Sequence, residues 1–220
     1  MGKIRNILIN SLGSFVLGIV SVIFFVCAGT ISILNFRQLY YFDIEYLDIP
    51  GISGLSAEEI KLNYDALIDY NSPFFKGDLE FPTLQMSASG QYHFAEVKEI
   101  FSAMLIFGIF ALIVLIIFMP LLVRRNRNNL KAIGIITFAL PVALGAVIIS
   151  QFSKIFVIFH EVLFNNDYWI FDATTDPVIT ILPEEFFMHC GIGILLFPLI
   201  GGLIMTIISV IINKKVRKHN

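Results

Sequence analysis

Four long stretches of the sequence contain no Asp, Glu, Lys or Arg, and each is long enough to cross a membrane. A helix needs about 20 apolar residues to span the hydrocarbon core of a bilayer. The whole chain is 57% hydrophobic and 15% charged, whereas soluble domains carry about 25% charged residues. The four stretches are residues 11–34, 100–123, 132–152 and 186–212. We therefore expect an all-α membrane protein with four transmembrane helices.

The basic residues are concentrated at three points of the chain, and their positions predict its orientation. They lie at the N-terminus, between the second and third stretches, and after the fourth, where none of the 17 acidic residues is found. The positive-inside rule places such short basic segments in the cytoplasm. The ten residues are Lys3, Arg5, Arg124, Arg125, Arg127, Lys131, Lys214, Lys215, Arg217 and Lys218. We expect both termini in the cytoplasm and the two long loops outside.

This orientation divides the chain into seven parts. The outer cap is expected to be built from the two long loops, residues 35–99 and 153–185. The remaining parts are an N-terminus with the first span (1–34), the second span (100–123), a basic cytoplasmic loop (124–131), the third span (132–152), and the fourth span with a basic tail (186–220).

The first outer loop contains the signature of an amphipathic helix. Ser56 and Glu59 form a capping box, in which the serine hydroxyl accepts a hydrogen bond from the N3 amide. Apolar residues then recur at helical spacing, at Ile60, Tyr64, Leu67 and Ile68. This pattern predicts a helix at about residues 57–69, so the cap contains at least one amphipathic helix.

The tyrosines and the single tryptophan all lie in the outer loops. One interpretation is an interfacial aromatic belt, but a belt has rings at both membrane surfaces. The cytoplasmic segments have no Tyr or Trp, which favours an aromatic-lined pocket on the outer face. Its candidate lining residues include Tyr40, Tyr92, Trp169 and Phe187.

Two histidines are the main candidates for chemistry. His93 lies just before the second span and His160 just beyond the third, so both are expected at the outer membrane boundary, on separate loops. Imidazole titrates near neutral pH and can both accept and donate a proton. Glu96, one turn after His93, could orient the ring. The alternative is that both rings are interfacial residues without a catalytic role.

Three further carboxylates have two possible roles each. Asp176 before Pro177, and Glu184 after a proline, are typical of helix N-termini. Together with Asp172 they could instead orient or charge a histidine. His189, near the start of the fourth span, is expected to serve packing or hydrogen bonding, and His219 in the basic tail is expected to be inert.

Several other kinds of site are not indicated by the sequence. His160-Glu161 lacks the second histidine of an HExxH zinc motif, so we expect no metal. No G-x-S-x-G nucleophile elbow or glycine-rich phosphate loop is present, and we expect no cofactor. The outer loops carry no basic patch suited to nucleic acid.

The layout and several outer motifs resemble the lipoprotein intramolecular transacylase family of Gram-positive bacteria. The resemblance covers the chain by topology, and its most distinctive part is the second outer stretch. The motifs are His93-x-x-Glu-Val-Lys98, Phe159-His160, Trp169-Ile-Phe-Asp172, Asp176-Pro177 and Leu182-Pro-x-Glu-Phe-Phe187.

The resemblance implies a bacterial cell-membrane enzyme whose substrate is a lipoprotein with an S-diacylglyceryl N-terminal cysteine. The sn-2 acyl chain would move from the glyceryl ester to the cysteine α-amine, giving a lyso-form lipoprotein. His93 and His160 would be the catalytic residues, working at the cap–membrane boundary next to membrane lipid. Two alternatives remain: a lipid or lipoprotein hydrolase or intermolecular acyltransferase, and a non-catalytic four-span partner such as an immunity protein.

Overall fold

The computed structural model describes residues 2–219, and the side chains of residues 4–216. The side chains of Lys3, Arg217, Lys218 and His219, which enter the predictions above, lie outside the described residues. The described chain forms eight α-helices and one 3-10 helix. They are α1 (Gly2–Asn35), α2 (Arg37–Tyr46), α3 (Ile49–Ser53), α4 (Ala57–Tyr70), α5 (Ala88–Arg125), α6 (Asn128–Ser150), α7 (Phe152–Leu163), the 3-10 helix Pro177–Ile181, and α8 (Glu184–His219).

Four of these helices are long and apolar enough to cross a membrane, which confirms the predicted number of spans. They are α1, α5, α6 and α8. Three of them extend beyond the predicted segments at both ends. The third ends at Ser150 rather than residue 152, since Gln151 has a non-helical backbone, with φ −136° and ψ 36°.

The contacts divide the chain into two compact units, which we describe separately. The bundle unit contains the residues up to Thr30, Leu105–Val147, and the residues from Gly193 onward. The site unit contains Ile31–Met104 and Ile148–Ile192.

In the bundle unit, small residues allow two helices to approach closely. A Cβ atom on Gly134 of α6 would lie 2.8 Å from the carbonyl oxygen of Gly202 on α8. A Cβ atom on Gly202 would lie 2.6 Å from the carbonyl oxygen of Gly134. Both distances are too short for a side chain, so glycine is required at this crossing. Such small-residue contacts replace the hydrophobic effect as the basis of helix packing in lipid.

The core of the site unit is formed by α2, α3, α4, the 3-10 helix and the beginning of α8. Its centre is an aromatic group in which the Tyr40 and Tyr64 rings stack with centroids 3.7 Å apart. The ring of Phe186 meets Tyr40 edge-on at 4.9 Å. Aromatic pairs of this kind contribute about 0.5–1.5 kcal/mol each beyond area burial.

Helix α4 begins and ends close to the predicted positions. The hydroxyl of Ser56 accepts a hydrogen bond from the Glu59 amide at 3.2 Å, as the capping box predicts. The helix continues to Tyr70, one residue beyond the predicted end. Its buried face includes all four residues used in the prediction, Ile60, Tyr64, Leu67 and Ile68.

Both histidines lie on helices rather than in irregular loops, as the one-turn spacing from His93 to Glu96 indicates for the first of them. His93 lies on the second turn of α5. His160 lies on α7, a helix that the sequence analysis treated as loop. Residues 152–163 contain no proline or glycine, and their apolar residues recur at three- and four-residue spacing, which is a helical pattern.

Candidate active site

His93 is buried among aromatic rings in the site unit and is only 5% exposed. Phe164 meets its ring at 4.6 Å and Phe171 at 5.4 Å, both edge-on. Among the described residues, no hydrogen-bond partner is found for its buried Nδ1 atom. Buried polar atoms are almost always paired, so an unpaired ring nitrogen indicates a functional position.

The hydrogen bond of His160 determines which of its ring nitrogens carries a proton. Its Nδ1 atom lies 2.7 Å from the backbone carbonyl oxygen of Phe156, one turn earlier on α7. A carbonyl oxygen can only accept, so Nδ1 must donate. In the neutral ring the lone pair is therefore on Nε2. Burial lowers the pKa of His160, and the Phe156 carbonyl opposes this with a smaller effect.

The two imidazole rings lie close together, with centroids 6.2 Å apart and planes at 33°. At this separation of the rings, one small bound group can contact both of them. Trp169 stacks on His160, with ring centroids 4.8 Å apart. The rings within 6 Å of either histidine belong to Phe94, Phe156, Phe159, Phe164, Trp169 and Phe171.

Glu96 does not orient His93, contrary to expectation. Its two carboxylate oxygens accept hydrogen bonds from the Asn166 side chain at 3.0 and 3.1 Å. Tyr92, one turn before Glu96 on α5, meets Tyr168 edge-on at 5.5 Å and is exposed. Both contacts join α5 to the segment after α7, so these residues hold together the two parts of the chain that carry the histidines.

Asp172 and Asp176 are also bound elsewhere, and neither hydrogen-bonds to a histidine among the described residues. Asp172 is exposed and accepts from the amide and hydroxyl of Thr174 at 2.8 and 2.7 Å, a local turn that competes with longer-range contacts. Asp176 is buried and accepts from the Ser87 amide at 2.7 Å, just before α5 begins. It precedes the 3-10 helix, but its side chain does not cap that helix.

The remaining predicted residues lie at different distances from the histidines. Tyr40 belongs to the core, where its hydroxyl donates to the carbonyl of Ile181 at 2.5 Å. Phe187 packs on Phe156 at 5.4 Å and therefore supports the ring that backs His160. Glu184 is the first residue of α8 and borders an open cleft of about 510 Å³ that neither histidine lines.

His189 pairs with a buried carboxylate that the sequence analysis did not connect to it. Its Nδ1 atom lies 2.9 and 3.0 Å from the two carboxylate oxygens of Asp43, a residue of α2 that is completely buried. The described residues contain no cluster of three or more His, Cys, Asp or Glu side chains suited to a metal ion.

Comparison with known protein families assigns the chain to one of them. The family model of the lipoprotein intramolecular transacylase Lit matches residues 15–187, most of the chain. The chain belongs to the lipoprotein intramolecular transacylase family. Members of this family are acyltransferases that act on lipoproteins, so the chain is a multi-pass membrane enzyme with a lipoprotein substrate.

Solved structures of the membrane-integral transacylase Lit from Bacillus cereus are similar over the whole chain. One is 38% identical, with a TM-score of 0.88, and covers 96% of this chain and 98% of its own. A second, in which one histidine is replaced by arginine, is 36% identical with a TM-score of 0.85 and covers all of both chains. A third, with a histidine-to-alanine replacement, is 36% identical with a TM-score of 0.78, covering 99% and 100%. The comparison with curated proteins finds no match.

The sequence analysis missed two aromatic rings that contact His93 and one residue that binds Glu96. Phe164 and Phe171 flank His93, and Asn166 holds Glu96. A usable signal was the spacing of four residues from Phe156 to His160 and from His160 to Phe164, which places three rings on one helical face. No comparable pattern in the sequence points to Asn166.

Proposed function

We propose that His93 and His160 catalyse transfer of the sn-2 acyl chain of an S-diacylglyceryl cysteine to the cysteine α-amine. The observation that carries the proposal is the 6.2 Å separation of two imidazole rings inside an aromatic enclosure. The family acts within one lipoprotein molecule, so nucleophile and ester arrive together. The product is a lyso-form lipoprotein with an N-acyl chain.

His160 acts as the proton carrier in this proposal, because its hydrogen bond to Phe156 leaves the Nε2 lone pair free. The α-amine has a pKa of about 7.7–8.0, so part of it is already neutral at working pH. As the amine nitrogen attacks the ester carbonyl carbon, Nε2 of His160 accepts the amine proton. When the carbonyl carbon–glyceryl oxygen bond breaks, the same Nε2 returns that proton to the glyceryl oxygen. No proton is gained or lost overall.

His93 stabilises the negative charge that forms on the ester carbonyl oxygen. Its buried ring makes no hydrogen bond through Nδ1 to the described residues, so that atom can bond to substrate without breaking an existing contact. A hydrogen bond donated in a dry site to an oxygen that becomes charged stabilises the transition state more than the ground state. Removal of one such donor typically costs about 100-fold to 1,000-fold in rate.

The aromatic enclosure restrains the substrate and excludes water. Phe164 and Phe171 cover His93, while Trp169 covers His160. Water inside the site would hydrolyse the ester, so its exclusion favours transfer over hydrolysis. Holding amine and ester together is itself a large contribution, with effective molarities of about 10⁵ M or more.

The basic segments support an orientation in which both termini lie in the cytoplasm and the site faces outward. In this arrangement residues 35–99 and 153–185 form the extracytoplasmic cap, and the histidines lie beside the outer leaflet. Membrane lipid then surrounds the site, and the lipoprotein substrate enters while anchored by its own acyl chains.

Tandem mass spectrometry of a reporter lipoprotein's N-terminal peptide tests the proposed reaction. Intramolecular transfer leaves the mass unchanged and moves one acyl chain onto nitrogen. His93→Ala and His160→Ala should abolish this product while the protein still inserts in the membrane. His219→Ala, a histidine of the basic tail, serves as the matched control and should keep full activity.

Other outcomes would each support a different function. Loss of one acyl group indicates hydrolysis, and gain of one indicates transfer from a separate lipid. An unchanged N-terminus with wild-type protein, or full activity in both histidine variants, contradicts the assignment of these residues as catalytic.

A further inference from the structure

Helix α7 exposes an apolar stripe that the described protein does not cover. The stripe consists of Ile158, Phe159, Val162 and Leu163, which are between 41% and 77% exposed. Residues four apart share one side of a helix, so the pairs 158 and 162, and 159 and 163, form one continuous surface. A water-exposed helix of 12 residues would not carry four such side chains together.

The rest of α7 has a clear division of roles. At about 100° per residue, Lys154 and Glu161 fall together about 120° from the centre of the stripe, next to Ile158 at its edge. Phe156 and His160 fall between these two sides, on the face that packs against the site unit, where Phe156 contacts Phe187. The helix therefore has a site face, a charged face and an uncovered apolar face.

Lipid is the occupant that fits the uncovered stripe. Gln151 alone separates α7 from α6, a candidate membrane span, so α7 begins where the chain leaves the hydrocarbon. A helix with one apolar and one charged face lies in the plane of the membrane surface, with its apolar face about 5–10 Å into the headgroup–acyl boundary. The charged pair Lys154 and Glu161 then faces the headgroups.

We propose that α7 lies in the outer membrane surface with this stripe inserted among acyl chains, and that the insertion holds His160 at the depth of the substrate's glyceryl ester. The second half of the inference rests on the proposed function. His160 lies one turn from Phe156 and between two stripe residues in sequence, so a change in the depth of α7 moves the base directly.

Nitroxide labels on single introduced cysteines test the depth of α7. We expect labels at Val162→Cys and Phe159→Cys, in reconstituted full-length protein, to be relaxed more by oxygen than by a water-soluble nickel chelate. Labels at Lys154→Cys and Glu161→Cys should show the reverse. The unsubstituted protein, which carries Cys27 and Cys190, provides the background signal. Equal nickel accessibility at 162 and 154, or no access of either reagent at 162, would overturn the inference.

Charged substitutions test the link between this depth and catalysis. Val162→Glu should lower the transacylation rate between roughly 10-fold and 100-fold, since a misplacement of about 1 Å can cost about 100-fold. Val157→Glu is the matched control, because Val157 is exposed on the charged side of the same helix, and it should keep near wild-type activity. Equal effects of the two variants would contradict the link.

The two measurements separate failure of this inference from failure of the proposed function. The label depths do not depend on any reaction, so they test membrane insertion even if His93 and His160 were not catalytic. If the labels on α7 lie in water while His93→Ala and His160→Ala are inactive, the membrane insertion is overturned and the catalytic assignment stands.

Discussion

His189 on α8 holds the completely buried carboxylate of Asp43 on α2 through two contacts of 2.9 and 3.0 Å. The two residues are 146 positions apart in the sequence. A buried carboxylate needs a partner, and loss of that partner leaves an uncompensated charge in an apolar core. The pair therefore connects the beginning of α8, which carries Phe186 and Phe187, to the first helix of the site unit.

His189→Ala should destabilise the protein by about 3 kcal/mol or more, because it removes the partner of Asp43. Thermal unfolding in detergent measures this as a lower Tm. The double variant Asp43→Asn/His189→Ala removes the charge as well and should recover part of the loss. A Tm of His189→Ala equal to that of wild type would show that the pair does not stabilise the fold.

The transacylation rate should fall in acid through the titration of His160. Burial lowers the pKa of this ring below 6.5, and a base must be neutral to accept a proton. The rate is therefore expected to fall along two limbs, one as the substrate amine is protonated below about pH 7.7–8.0 and a steeper one below about pH 6.5, through the lowered pKa of His160. Initial rates from about pH 4 to about pH 8 measure this. A profile with only the substrate amine's limb, near pH 7.7–8.0, would contradict the role of His160.

Trp169→Ala should reduce the rate roughly tenfold, because the indole stacked on His160 restricts the orientation of the base. Trp169→Phe retains an aromatic face and should keep most of the activity. Initial rates at several substrate concentrations distinguish the expected fall in kcat from a change in KM. A loss of activity as large in Trp169→Phe as in Trp169→Ala would show that stacking on His160 is not the relevant contact.

Asn166→Asp should destabilise the site unit by about 1–3 kcal/mol, because it replaces the donor to Glu96 with a second carboxylate. Activity should fall with stability, since Phe164 and Trp169 lie on either side of Asn166 in the chain. Asn165→Asp adds the same charge at the exposed neighbouring position and is the control. Thermal unfolding and initial rates should separate the two variants, and equal behaviour would contradict the role of the Glu96 contact.

Local patterns were sufficient to predict the four spans, helix α4 and the two histidines of the candidate site. Each of these predictions used residues that are close together in the sequence. They were a run of uncharged residues, a capping box, and an imidazole next to the end of a span. The pattern that indicates α7 is also local, but its apolar residues directly follow the end of a span.

The partners of the polar side chains depended on tertiary structure. Glu96 lies three residues from His93 in sequence, yet it binds Asn166, and Asp176 binds the Ser87 amide rather than a histidine. A short-range pattern shows where a carboxylate lies along one helix, but its hydrogen bonds are made by whichever distant donor the fold brings within about 3 Å.

The sequence by itself determined that this chain has four membrane spans, because each uncharged segment is long enough to cross the hydrocarbon and a helix satisfies all of its backbone hydrogen bonds there. Only the tertiary structure decided that His93 and His160 lie 6.2 Å apart and that Phe164 and Phe171 cover the His93 ring. Those contacts join residues far apart in the chain, and no periodicity along the sequence specifies which distant side chains will meet.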